Sequence, residues 1–215
     1  MKNTTIDYAD FAEYDRRQSA IQRHVVLAFL AGLAVGALGM AISGLASDLV
    51  SEFYDPYAYL ALAIVVGATA TGFGWALLTT FLAGTSMLVS AMGGSAVLGQ
   101  SDFEVIGGGH AAGLNLLLVL LVAVGLLAHV TRRSDGWGDL AAGAITGLLV
   151  GDVIDRATPG FIDSQPGFWP VPAVMIGTLS VALIFVMRGT AAGRARAAVL
   201  ATGVAAVIAA LALAF

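Results

Sequence analysis

Apolar residues in this chain come in long blocks, and charged residues mark the gaps. Residues 24–47, 56–101, 105–131, 140–151, 164–187 and 197–215 contain no Asp, Glu, Lys or Arg. A helix needs about 20 mainly apolar residues to cross the roughly 30 Å hydrocarbon of a bilayer. Most blocks meet that length. The 140–151 block is short, but Trp137, Leu140, Val153 and Ile154 extend it into a span with acids at both ends. The pattern predicts an all-α, polytopic integral membrane bundle.

The block 56–101 decides the number of crossings. Its 46 uncharged residues would make a helix about 69 Å long, roughly twice the hydrocarbon thickness, so it must break. Either 57–80 crosses once and 84–109 is re-entrant, giving six spans, or 57–76 and 79–98 cross separately, giving seven. Lys and Arg concentrate on the cytoplasmic side of membrane proteins. With the N-terminus inside, six spans place Lys2, Arg16, Arg17, Arg23 and Arg156 inside and Arg132, Arg133, Arg188, Arg194 and Arg196 outside, which is no bias. Seven spans leave only Arg156 outside. Seven transmembrane helices are therefore expected, at 24–48, 57–76, 79–98, 110–130, 137–155, 168–187 and 196–215, with six plus a re-entrant segment as the alternative. The weak point is the connection near Leu77–Thr80, which lacks a turn signal. Gly72 and Gly74 lie before it and Gly84 after it. This topology places the protein in the cell membrane with its N-terminus cytoplasmic and its C-terminus external.

Composition fits the pattern. Charged residues make up 11% of the 215 residues, hydrophobic residues 59%, and mean hydropathy is +0.90. A soluble surface cannot be covered with so little charge, which excludes a soluble enzyme, a nucleic-acid binder and a disordered chain. There is no Cys, so disulfides, thiolate metal sites and Cys nucleophiles are absent. Lys occurs only at Lys2, so no span offers an amine for a Schiff base.

Residues 1–23 form a polar N-terminal unit ahead of a single transmembrane domain, 24–215. The three-residue steps of Tyr8, Phe11 and Tyr14, beside Asp7, Asp10 and Glu13, predict an amphipathic helix over 7–22 at the membrane interface or capping the bundle.

Small residues recur on helical stripes. Gly32 and Gly36 form a GxxxG pair in the first span, and Gly143, Gly147 and Gly151 recur at steps of four in the fifth. Such stripes let backbones approach closely, within one chain or between subunits. Asp139 and Asp155 continue the fifth-span stripe, whose acidic ends are expected to face water. Asp152 lies four residues before Arg156, a spacing that permits an ion pair. An acid within a span is expensive and marks a candidate ion or solute pathway, so Asp152, Asp155 and Arg156 are the candidate pathway residues, at the outer mouth. Asp48, Glu52, Asp55, Asp102, Glu104 and Asp163 would face the same side, without the spacing of a Ca²⁺ loop. His110 and His129 stand at opposite ends of the fourth span, and Asn115 is expected to bond a neighbouring helix. Phe161, Phe168 and Trp169 suit an aromatic belt.

No HExxH, P-loop, dinucleotide fingerprint, paired intramembrane aspartates or serine with a base is present, and no inverted repeat is visible. No cofactor, bound metal or nucleic acid is expected. Lipid, and a second copy or other membrane subunits, are the expected partners. Three functions stay open: a non-enzymatic structural or accessory subunit of a membrane assembly, a transporter or channel for an ion or small solute, and a haem-binding electron-transfer subunit using His110 or His129.

Overall fold

The computed structural model describes residues 8–45, 48–97, 111–162 and 164–214. Lys2, Asp7, Asp102, Glu104, His110 and Asp163 lie outside them. The elements are α1 (Tyr8–Leu45), α2 (Asp48–Tyr54), α3 (Tyr57–Thr69), α4 (Phe73–Val97), α5 (Ala111–Val130), α6 (Gly136–Ala157), a 3₁₀ turn (Pro166–Phe168), α7 (Val171–Met187) and α8 (Ala191–Ala214). The fold is all-α. Among the described residues five helices, α1, α4, α5, α6 and α8, are long and apolar enough to cross a membrane. At 13 and 17 residues, α3 and α7 are shorter, about 20 Å and 26 Å. These features define a multi-pass helical membrane protein.

The long neutral block does double back, but earlier than its sequence suggests. α3 stops at Thr69, and Ala70 takes an extended conformation (φ −64°, ψ 144°). α4 then starts at Phe73 and continues through Gly93 and Gly94 to Val97. The turn is therefore 70–72, not 77–80. Its fixing contact is tertiary: Arg132 Nη1 donates to Ala70 O at 2.6 Å, capping a carbonyl that the helix end leaves free. The polar N-terminal segment is likewise not a separate helix. It runs uninterrupted into the first apolar block as α1, with Tyr14 exposed and Arg17 paired to Glu13 at 2.6 Å.

Contact registers set the direction of every long helix. Gly32 faces Ala83 and Ser86, Gly36 faces Met87 and Ser90, and Met40 faces Gly94, so α1 and α4 run parallel. Ser86 Oγ donates to Phe29 O at 3.0 Å and Ser90 Oγ to Leu33 O at 2.9 Å, which locks this register. Gly143 meets Ala197 and Leu200, Gly147 meets Ala201 and Val204, and Gly151 meets Ile208, so α6 and α8 are also parallel. Gly125 of α5 meets Gly67 of α3 and Thr80 of α4. The glycine stripes are spent inside the chain, where absent Cβ atoms let helix backbones meet.

α1, α3, α4, α5, α6, α7 and α8 thus alternate in direction between two ends. One, here the arginine end, holds the connections 70–72, 131–135 and 188–190, together with Arg132, Arg133, Arg188, Arg194 and Arg196. Arg16, Arg17 and Arg23 lie on the early turns of α1 at the same end. The other, the acidic end, holds α2, Asp55, Asp152, Asp155, Arg156 and the loop after α6.

One packing arrangement occurs twice. In α1–α3–α4 and in α6–α7–α8, the first and third helices run parallel on a glycine stripe, and a short helix preceded by a proline, Pro56 or Pro170, returns between them. α5 connects the two units. Gly32 facing Ala83 and Ser86 corresponds to Gly147 facing Ala201 and Val204. The units differ in that α3 leans on α4 and α5, whereas α7 leans on α6. The repetition is parallel rather than inverted, and a middle linker resolves the odd number of helices.

Candidate functional site at the acidic end of the bundle

The main core forms where α3, α4, α5 and α6 meet, around Tyr59, Leu60, Ile64, Met87, Leu121, Ile145 and Leu149. α3 buries one face there despite its length, leaving Val65 exposed on the other, and its first residue, Tyr57, emerges at the acidic end beside the last turns of α6. Tyr57 Oη donates to Asp152 Oδ2 at 2.5 Å. Arg156 Nε donates to the same oxygen at 3.1 Å, as the four-residue spacing allows, and its guanidinium lies 6.0 Å from the Tyr57 ring centroid. Asp152 is thereby compensated by one cation and one hydroxyl.

Phe168 covers this cluster. It is completely buried with Val153, Ala173 and Ile176, and stacks on Tyr57 at 6.3 Å. The expected aromatic belt is thus divided: Trp169 is exposed, while Phe168 plugs the bundle. Gln165 N donates to Arg156 O at 2.9 Å, which ties the loop to the end of α6. Burial pushes the carboxyl of Asp55, before α3, up to about 6. Nearby Arg156 opposes that rise and Asp152 adds to it.

Two cavities flank the contact between α3 and α6. The first, about 220 Å³, is lined by Pro56 and Leu60, by Leu120 and Val124 of α5, by Ile145, Leu148, Leu149, Asp152 and Asp155 of α6, and by Ile208 of α8. The second, about 300 Å³, lies between α3 and α7, with Tyr57, Ile64, Ile176 and Leu183 among its walls. Leu60 and Leu149 line both, and the Tyr57–Asp152 bond closes the seam at its acidic end. Asp155 also faces the first cavity, but unlike Asp152 it has a sheltered Oδ1 without a partner among the described residues.

The arginine end is sealed differently. Asp139, in the first turn of α6, is 1% exposed rather than facing water. It pairs with Arg188, the residue that ends α7, and with Arg196 of α8 at 2.8 Å. Arg188 is itself 6% exposed and donates from Nη1 to Thr131 O at 3.0 Å and Arg133 O at 2.9 Å, while Arg194 Nε donates to Arg188 O at 2.8 Å. With Arg132 on Ala70 O, guanidinium-to-carbonyl bonds stitch all three connections of this end. Asp135 caps α6 by accepting from Gly138 N at 3.3 Å, and exposed Arg133 at its side holds its carboxyl below the usual range.

The structure therefore unites Asp152 and Arg156, places Asp155 on the adjoining cavity, and adds Tyr57, Asp55 and Phe168 from distant segments. Tyr57 is 95 positions from Asp152, and no local pattern links them. Asn115 lies on an exposed face of α5. His129 meets Phe73 edge-on at 6.4 Å, and among the described residues no three His, Asp or Glu side chains come together as metal ligands. Comparison with protein-family models, curated proteins and solved structures found no match for this chain.

Proposed function

We propose that this protein is a seven-span membrane carrier or channel for a small solute, with Asp152, Asp155 and Arg156 at its outer mouth. The observation that carries the reading is the 220 Å³ cavity lined by α3, α5, α6 and α8, with the acids of α6 at one end and apolar walls elsewhere. Two further features support it. Short helices in corresponding positions of two repeated units point to a binding site in transporters, and α3 and α7 hold those positions here. The bundle is also asymmetric along its axis, with cavities next to the acidic cluster and an ion-paired seal at the other end. The arginine end carries nearly all the basic residues, which supports placing it, the N-terminus included, in the cytoplasm.

A structural or accessory subunit is the second reading. The glycine stripes, its expected docking surface, are already filled by α4 and α8, so such a partner would have to pack on lipid-facing side chains such as Val119 and Leu179. The flux test is uptake by phosphatidylcholine proteoliposomes of radiolabelled tetramethylammonium and of rubidium. Saturable uptake of either, reduced tenfold or more in Asp152→Asn, is the expected result. Rates equal to protein-free vesicles for both would overturn the carrier reading in favour of the accessory one.

A further inference from the structure

Charge balance around the first cavity narrows the solute. The charged groups at this end of α3 and α6 are Asp55, Asp152, Asp155 and Arg156. Among the described residues, α5 and α8 contribute Leu120, Val124 and Ile208 to the walls. Arg156 is committed to Asp152, which also accepts from Tyr57. Among the described residues, Asp155 is left with no cation and with a sheltered oxygen lacking any donor. A carboxylate in that position calls for a positive partner. Size and wall chemistry then select the kind of cation. The cavity is about seven times the roughly 30 Å³ share of one water, too large for a bare ion. Hard metal ions take about six to eight oxygen ligands, and among the described residues the only polar side chains in this lining are the two carboxylates. Leu60, Leu120, Val124, Ile145, Leu148, Leu149 and Ile208 instead match an apolar body.

We infer that the cavity binds a small organic monocation, its positive group against Asp155 and its apolar body along the leucine and isoleucine walls. This rests on the carrier reading for its purpose but not for its test, which is equilibrium binding. The purified full chain in phosphatidylcholine nanodiscs is titrated with benzyltrimethylammonium and, separately, with neopentylbenzene, which has the same shape with carbon in place of nitrogen. Wild type is expected to bind the cation saturably and at least tenfold more tightly than the neutral compound. Asp155→Asn is expected to erase that preference while binding of the neutral compound and the melting temperature hold. Leu148→Trp, which fills the cavity without touching the carboxylates, is expected to weaken both ligands. Equal affinity for the two compounds in wild type overturns the inference, as does a preference that survives Asp155→Asn or cation binding unaffected by Leu148→Trp. Cation binding without flux would keep the site and remove the carrier reading. Rubidium flux insensitive to Asp155→Asn, with no cation binding, would do the reverse.

Discussion

Arg188 closes α7 with its guanidinium against the carboxylate of Asp139 at the start of α6, both of them buried. The pair joins two helices that the sequence separates by a long loop, and Arg196 brings in a third. Its geometry is that of ion pairing more than of aligned hydrogen bonds, since neither Asp139 oxygen accepts one at a good angle.

Removing one member should be far worse than removing both. Asp139→Ala leaves two arginines without their counter-charge, and loss of one partner of a buried pair costs about 3–5 kcal/mol. Asp139→Leu combined with Arg188→Met should recover at least half of that loss. Recovery stays incomplete because Arg188 also holds Thr131 O and Arg133 O. Denaturation of detergent-solubilised protein across this mutant cycle measures it, and additive losses would contradict the coupling.

The glycine stripe gives a matched comparison. A Cβ at Gly147 would lie 2.7 Å from Val204 Cβ and 2.8 Å from Ala201 O. Gly147→Ala should therefore destabilise by about 1–3 kcal/mol through overpacking. Gly203, on the same helix pair but with open space beside it, should tolerate Ala or gain about 0.5–1 kcal/mol from helix propensity. Thermal melts of the two variants should move apart.

Asp55 supplies a pH test. Its carboxyl is raised from its ordinary value to about 6, so the native state holds a proton that the unfolded chain releases near pH 4. Folding stability should then fall as pH rises from about 4 to 6 and stay reduced above that. Asp55→Asn should remove this loss, stabilising the protein by about 3 kcal/mol at pH 8 and by nearly nothing at pH 4. A melting difference between wild type and variant that does not change with pH would refute the assignment.

Topology can be read with single cysteines, because the chain has none of its own. Ser134→Cys, in an exposed arginine-end connection, should resist a membrane-impermeant maleimide added to intact cells and react after permeabilisation. Ile162→Cys, exposed at the acidic end, should react in intact cells. The opposite pattern would invert the proposed orientation.

The sequence by itself determined that the chain is a membrane helix bundle, because 46 consecutive uncharged residues cannot stay in water or span a bilayer once. It also marked Asp152 with Arg156, since a helix brings residues four apart onto one face. Tertiary structure alone decided where the neutral block turns, because the cap on Ala70 comes from Arg132. It alone buried Asp139 behind Arg188, turned Phe168 inward onto Tyr57, and left Asp155 facing a cavity without a partner among the described residues. In lipid, polar groups must find partners within the protein. Those partners lie on other helices, and no local spacing in an almost uniformly apolar chain records which ones.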